Sequence, residues 1–176
     1  MRGFTGEVLS SVIRPLRADD AQAVALLHHK GIPTGFLSSL GRGFLEALYA
    51  AIPSSPSGLG FVCDLGKPVG FVACTTGTGS LYKQVLKQHG GRLALCVLPN
   101  LWRPQVIKNC LETLRYPDEV GDGLPDAEIL SIAVHERVRG KGVGKALLRR
   151  GLAALRGRGI DPALGQGGIL PPWNPE

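Results

Sequence analysis

No two cysteines in this chain stand at metal-ligand spacing. Cys63, Cys74, Cys96 and Cys110 are scattered singly, with no CxxC pair and no histidine at ligand distance, so neither a metal site nor a redox motif has support and the four read as reduced, buried thiols. No stretch approaches the roughly 18 consecutive apolar residues of a membrane span. The opening MRGFTGEVLSSVIRP lacks the apolar run of a secretory leader. The expected compartment is therefore the cytoplasm, with no membrane partner. No internal repeat is present, and residues 1–176 are read as a single domain, long enough to bury about two-thirds of its unfolded surface.

Acidic residues are missing from positions 137–158, where Arg137, Arg139, Lys141, Lys145, Arg149, Arg150, Arg156 and Arg158 fall together. Within a formal net charge of +6, this cluster calls for an anion, either a nucleic acid or a phosphorylated cofactor. The stretch has no aromatic interleaving and no helix-turn-helix, zinc or RNA-binding signature, so no nucleic-acid partner is expected. A solvated helix face accounts for Arg149, Arg150, Arg156 and Arg158 better than for the residues before them.

Elements can be read along most of the chain. Val12 to Leu16 reads as a short strand, and Asp19 or Asp20 is placed to cap a helix over AQAVALLHHK whose Val24, Leu27 and His28 share one face. Leu40, Phe44, Ala47, Leu48 and Ala51 recur at helical spacing. GLGFVCDLGKPVGFVACTT gives two strands joined at Asp64–Pro68, with Gly66 in the turn. Residues 76–125 read as a mainly helical insertion: TGTGS is a flexible stretch, LYKQVLKQHGG a short helix ended by glycines, and RPQVIKNCLETLRYP a second helix. EILSIAV, residues 128–134, reads as a central strand buried on both faces. Leu147, Leu148, Leu152 and Leu155 then mark an amphipathic helix that GRG stops, and residues 160–176 read as an irregular tail.

Between that strand and that helix stands RGKGVGK, residues 139–145. A strand, a glycine loop and a helix in this order bring several backbone N–H groups and a helix N-terminus to one point, which suits a phosphate. Two nucleotide loops fail on spacing. A P-loop needs glycine where Arg139 stands and serine or threonine where Ala146 stands. The dinucleotide fingerprint GxGxxG, begun at Gly140 or Gly142, would need glycine at Lys145 or Leu147.

The R-x-x-G-x-G spacing of Arg139, Gly142 and Gly144, after a strand ending Ile132-Ala133-Val134, resembles the signature of the GNAT superfamily of N-acetyltransferases. The resemblance is strong from Ala127 to about Arg158 and weaker from Val12 to Thr75, where the order β-α-α-β-β agrees. It implies an α/β (α+β) fold with a mixed, mostly antiparallel central sheet and flanking helices. It also implies that Arg139, Gly140, Lys141, Gly142, Val143, Gly144 and Lys145 hold the pyrophosphate of acetyl-coenzyme A, that Ile132, Ala133 and Val134 pair with its pantetheine arm, and that no metal takes part. Glu128, in an A-E-I-x-x-x-A pattern similar to that of the histone-acetylating branch, is implied as catalytic base. Strand alternation would put Glu128, Leu130, Ile132 and Val134 on one face, with the Val134 amide as oxyanion donor. His135 is an alternative base, His28, His29 and His89 carry no constellation, and nothing local singles out Tyr49, Tyr82 or Tyr116 as an acid.

The family continues beyond this helix with a strand, a helix bearing N-x-x-A-x-x-F-Y and closing strands, so the sheet is expected to be C-terminally shortened. Three accounts stay open: an active transferase completed by its tail or a homodimer partner, a coenzyme-A-binding module without turnover, or part of a longer parent. The leading expectation is acetyl transfer to a primary amine of unidentified acceptor by direct attack in a ternary complex. Thioester loss separates it from the binding module.

Overall fold

The computed structural model describes Leu9, residues 11–97 and residues 127–160. Its elements run β1 (Ile13–Pro15), α1 (Ala21–Gly31), α2 (Phe36–Ser39), α3 (Arg42–Ala51), β2 (Gly58–Asp64), β3 (Pro68–Thr75), α4 (Thr78–Val97), β4 (Glu128–Val134) and α5 (Val143–Arg156). The four strands form one sheet in the order β1-β2-β3-β4, antiparallel at every pairing. The expected α/β class, with an antiparallel sheet between helices, is what the chain adopts. Among the described residues, no helix is long and apolar enough to cross a membrane.

Alternation along the strands divides the core in two. Val62, Phe71, Ala73 and Ala133 pack beneath α1 and α3. Phe61, Cys63, Val72 and Cys74 pack beneath α5 with Val143, Leu147 and Leu155. The residues that mark α3 in the sequence, Phe44, Ala47, Leu48 and Ala51, are all buried. Two glycines set how closely helices approach the sheet. A Cβ on Gly31 at the end of α1 would stand 2.9 Å from the Cβ of Ala133, and one on Gly151 in α5 would stand 3.1 Å from Sγ of Cys74. The β2–β3 hairpin turns at Gly66, whose φ of 83° favours glycine.

Several expectations are corrected. Asp20 does stand at the N-cap position of α1, but its side chain makes no capping bond there. Its carboxylate takes the Arg14 fork at 2.7 and 2.8 Å and the Arg17 amide at 2.9 Å, while Arg14 also reaches Asp64 and binds β1 to the end of β2. The TGTGS stretch is not a flexible link: α4 starts inside it at Thr78 and continues through Gly90 and Gly91 to Val97. Each helical glycine costs about 1 kcal/mol against alanine, and buried Leu81, Tyr82 and Val85 anchor the helix first. β4 is not a central strand but ends the sheet order among the described residues. Cys63 and Cys74 are free and buried, as expected. The helix read over RPQVIKNCLETLRYP and the irregular tail, Ile160 apart, lie outside the described residues.

Candidate functional site

β4 carries a bulge that resets which side chains face which core. Ser131 pairs with Ala73 and Ile129 with Cys74, so Leu130 is the extra residue. Beyond it, Ile132 and Val134 pack on the α5 side, while Ser131 and Ala133 turn toward α1 and α3. Glu128, opposite Thr75, lies on the α1–α3 side. It therefore does not share a face with Ile132 and Val134, because strict alternation fails at the bulge.

The same register fixes where the backbone of β4 points. His135 N–H donates to Val69 O at 2.8 Å, which makes their pair a hydrogen-bonded one. In an antiparallel ladder such pairs alternate with pairs whose N–H and C=O point away from the partner strand. Val134 opposite Gly70 and Ile132 opposite Val72 are of the second kind, so their amides and carbonyls face away from β3. Arg139 confirms the direction, donating from Nε to Val134 O at 3.1 Å.

From this edge the chain passes through a short 3-10 turn, Glu136–Val138, where Nδ1 of His135 accepts from the Arg137 amide at 3.3 Å. His135 thus serves as the cap of that turn. The loop follows with Gly140 at φ 73° and Gly142 at φ 83°, both in the left-handed region. Gly142 is the N-cap of α5, and the first bond of that helix runs from Ala146 N–H to Gly142 O at 3.0 Å. The amides of Val143, Gly144 and Lys145 precede that first donor. They stand at the positive end of a 14-residue helix.

The loop leaves room for a ligand. A Cβ on Gly140 would meet nothing within 4 Å, one on Gly142 would meet only Leu9 Cδ1 at 3.5 Å, and one on Gly144 only Val134 Cγ2 at 3.6 Å. Packing therefore does not demand glycine at 144, where an added Cβ would make only ordinary contact. Two arginines beyond the loop are occupied otherwise: Arg150 in α5 lies 4.8 Å from the centroid of the Phe61 ring, and Arg158, past the end of α5, donates to Pro56 O at 2.6 Å.

Two polar groupings surround the α1–α3 side of β4. Thr78 Oγ1 donates to Oε1 of Glu128 at 2.5 Å. Deeper in, Tyr49 OH lies 2.5 Å from Nδ1 of His28 and 2.7 Å from Oγ of Ser131, with Phe71 against both rings. Burial lowers the pKa of His28 to about 4, helped by the neighbouring His29, and burial raises that of the Tyr49 phenol. His28 therefore does belong to a constellation, one the sequence did not disclose. Tyr116 and the side chain of His89 lie outside the described residues. Among the described residues, no group of three or more His, Cys, Asp or Glu side chains is placed to hold a metal ion.

Among the described residues, the antiparallel sheet thus ends in a bulged strand with outward backbone that leads into a glycine loop at a helix N-terminus. The family model of the acetyltransferase (GNAT) family matches residues 33–166, more than half of the chain, and the chain belongs to that family. No curated protein and no solved structure matches it.

Proposed function

We propose that the chain is an N-acetyltransferase that moves the acetyl group of acetyl-coenzyme A to a primary amine by direct attack in a ternary complex. The observation that carries this reading is the cradle from Arg139 to Lys145, with two left-handed glycines at the mouth of α5. It is read as the seat of the pyrophosphate. The outward backbone groups of Ile132 and Val134, with Ala133 bound to β3 between them, are read as the edge along which the pantetheine arm lies.

When bound, the thioester supplies the acyl group and the leaving thiolate. The chain must supply the rest. A lysine-like amine, pKa near 10.4, arrives as ammonium at neutral pH and must lose a proton before its nitrogen can attack. The Glu128 carboxylate, exposed at the start of β4, is read as its acceptor. Charge developing on the acetyl oxygen needs a fixed donor, and both outward amides are suitable in kind. Length separates them: counted on the β3 partners, which pass over the bulge, Ile132 lies three steps from Glu128 and Val134 five, about 10 Å and about 17 Å at roughly 3.3 Å per step. A glutamate side chain, an amine and an acetyl carbonyl in line span the first distance and not the second. The Ile132 amide is therefore preferred over that of Val134 as the oxyanion donor.

The test is thiol release from acetyl-coenzyme A with a panel of primary amines. Amine-dependent release is expected; cofactor binding without release would favour a coenzyme-A-binding module.

A further inference from the structure

Glu128 is held by more than its strand. Thr78, the first residue of α4, donates its hydroxyl to Oε1 of Glu128, and Thr78 is itself only 8% exposed. The turn that presents Thr78 is pinned from both sides. Thr75, opposite Glu128 in the ladder, accepts the Gly77 amide on Oγ1 at 3.1 Å, and the Thr76 amide donates to Ser57 O at 2.9 Å. Tyr82, one turn further along α4, is buried close to Glu128, whose charge adds to burial in raising the phenol's pKa.

A carboxylate has two oxygens, and a general base uses one at a time. On an exposed glutamate the carboxylate would otherwise sample several rotamers. We infer that Thr78 is a positioning residue for the proton transfer: by holding Oε1, it aims Oε2 at the acceptor ammonium, whose proton leaves nitrogen for that oxygen. The inference rests on the reading of Glu128 as base. The competing account is local: an acid beside the start of a helix favours that helix through its dipole. Such a role would show in stability and would not depend on what Glu128 does in turnover.

A double-mutant cycle separates the two. The turnover number and KM for acetyl-coenzyme A are measured for wild type, Thr78→Val, Glu128→Gln and the double variant, using n-butylamine, an N-blocked lysine amide and spermidine as acceptors. Thr78→Val is expected to lower kcat about tenfold, the effect of losing one hydrogen bond to a charged group, with KM unchanged. Thr78→Ser should restore kcat, and on the Glu128→Gln background Thr78→Val should cost nothing further. Equal losses on both backgrounds, or wild-type kcat in Thr78→Val, overturn the positioning role while leaving the base intact. Wild-type kcat in Glu128→Gln, or no transfer by the wild type, removes the base and the inference with it. Should Thr78→Val fail to fold, Thr78→Ala enters the same cycle with the same expectations.

Discussion

Arg139 Nε donates to Val134 O at 3.1 Å, which ties the glycine loop to the outward edge of β4. The bond joins the segment read as holding pyrophosphate to the one read as holding pantetheine, and it sets the distance between them. Arg139→Ala should weaken acetyl-coenzyme A binding about tenfold, the usual loss for a hydrogen bond with a charged donor. Because Arg139 is exposed, stability should change by no more than about 0.5 kcal/mol. Calorimetric titration beside a thermal melt reads both. Wild-type affinity would mean that this bond does not shape the cradle.

Gly144 offers a cleaner separation of fold from site. Its φ is not in the left-handed region, and a Cβ there would make only ordinary contact with Val134. Gly144→Ala in α5 should therefore hold or raise stability, by about 0.4–1 kcal/mol, while the added methyl weakens binding of the cofactor. Higher stability with unchanged affinity would place the ligand elsewhere.

Glu128→Gln should lower kcat about a hundredfold at neutral pH, within the usual contribution of a general base. The loss should shrink as pH rises toward the amine's own pKa near 10.4, since free amine then needs no base. A pH series from 7 to about 9.5 on the amine that turns over fastest would check it. A loss that stays constant across the series would assign Glu128 to something other than proton removal.

His28 makes stability depend on pH. Burial holds its pKa at about 4, below the ordinary 6.5, so the unfolded chain binds a proton that the folded chain refuses between those values. Stability is then fullest above pH 6.5 and declines as pH falls toward 4. Urea titrations at pH 7, 6, 5 and 4.5 should show this decline, and His28→Gln should flatten it. A wild-type midpoint that does not move over that range would contradict the buried, neutral imidazole.

What was legible in the sequence was local. Gly66 between two alternating runs marked the β2–β3 hairpin, and leucines at helical spacing marked α5. The order of glycines from 140 to 144 marked the cradle because backbone conformation there depends on the residues themselves. The bulge at Leu130 left no trace, since shifting one residue within the apolar run EILSIAV changes no hydrophobic pattern. That one residue moved Glu128 off the face that alternation assigned to it. The His28–Tyr49–Ser131 chain was equally hidden, because its partners lie 21 and 82 positions apart and meet only when α1, α3 and β4 pack. The run of α4 through Gly90 and Gly91 reversed the local signal, as its buried first turns anchor the helix.

The central claim is that the cradle at the start of α5 takes acetyl-coenzyme A. Its most direct test is calorimetric titration of the chain with acetyl-coenzyme A, in parallel with Gly142→Asp. Aspartate would have to adopt the left-handed φ of 83° and would set a negative charge where an anion is to sit. The account predicts saturable, one-to-one binding by the wild type and none by the variant, with matching far-UV circular dichroism. Equal binding by both chains, or no binding by the wild type, would contradict it.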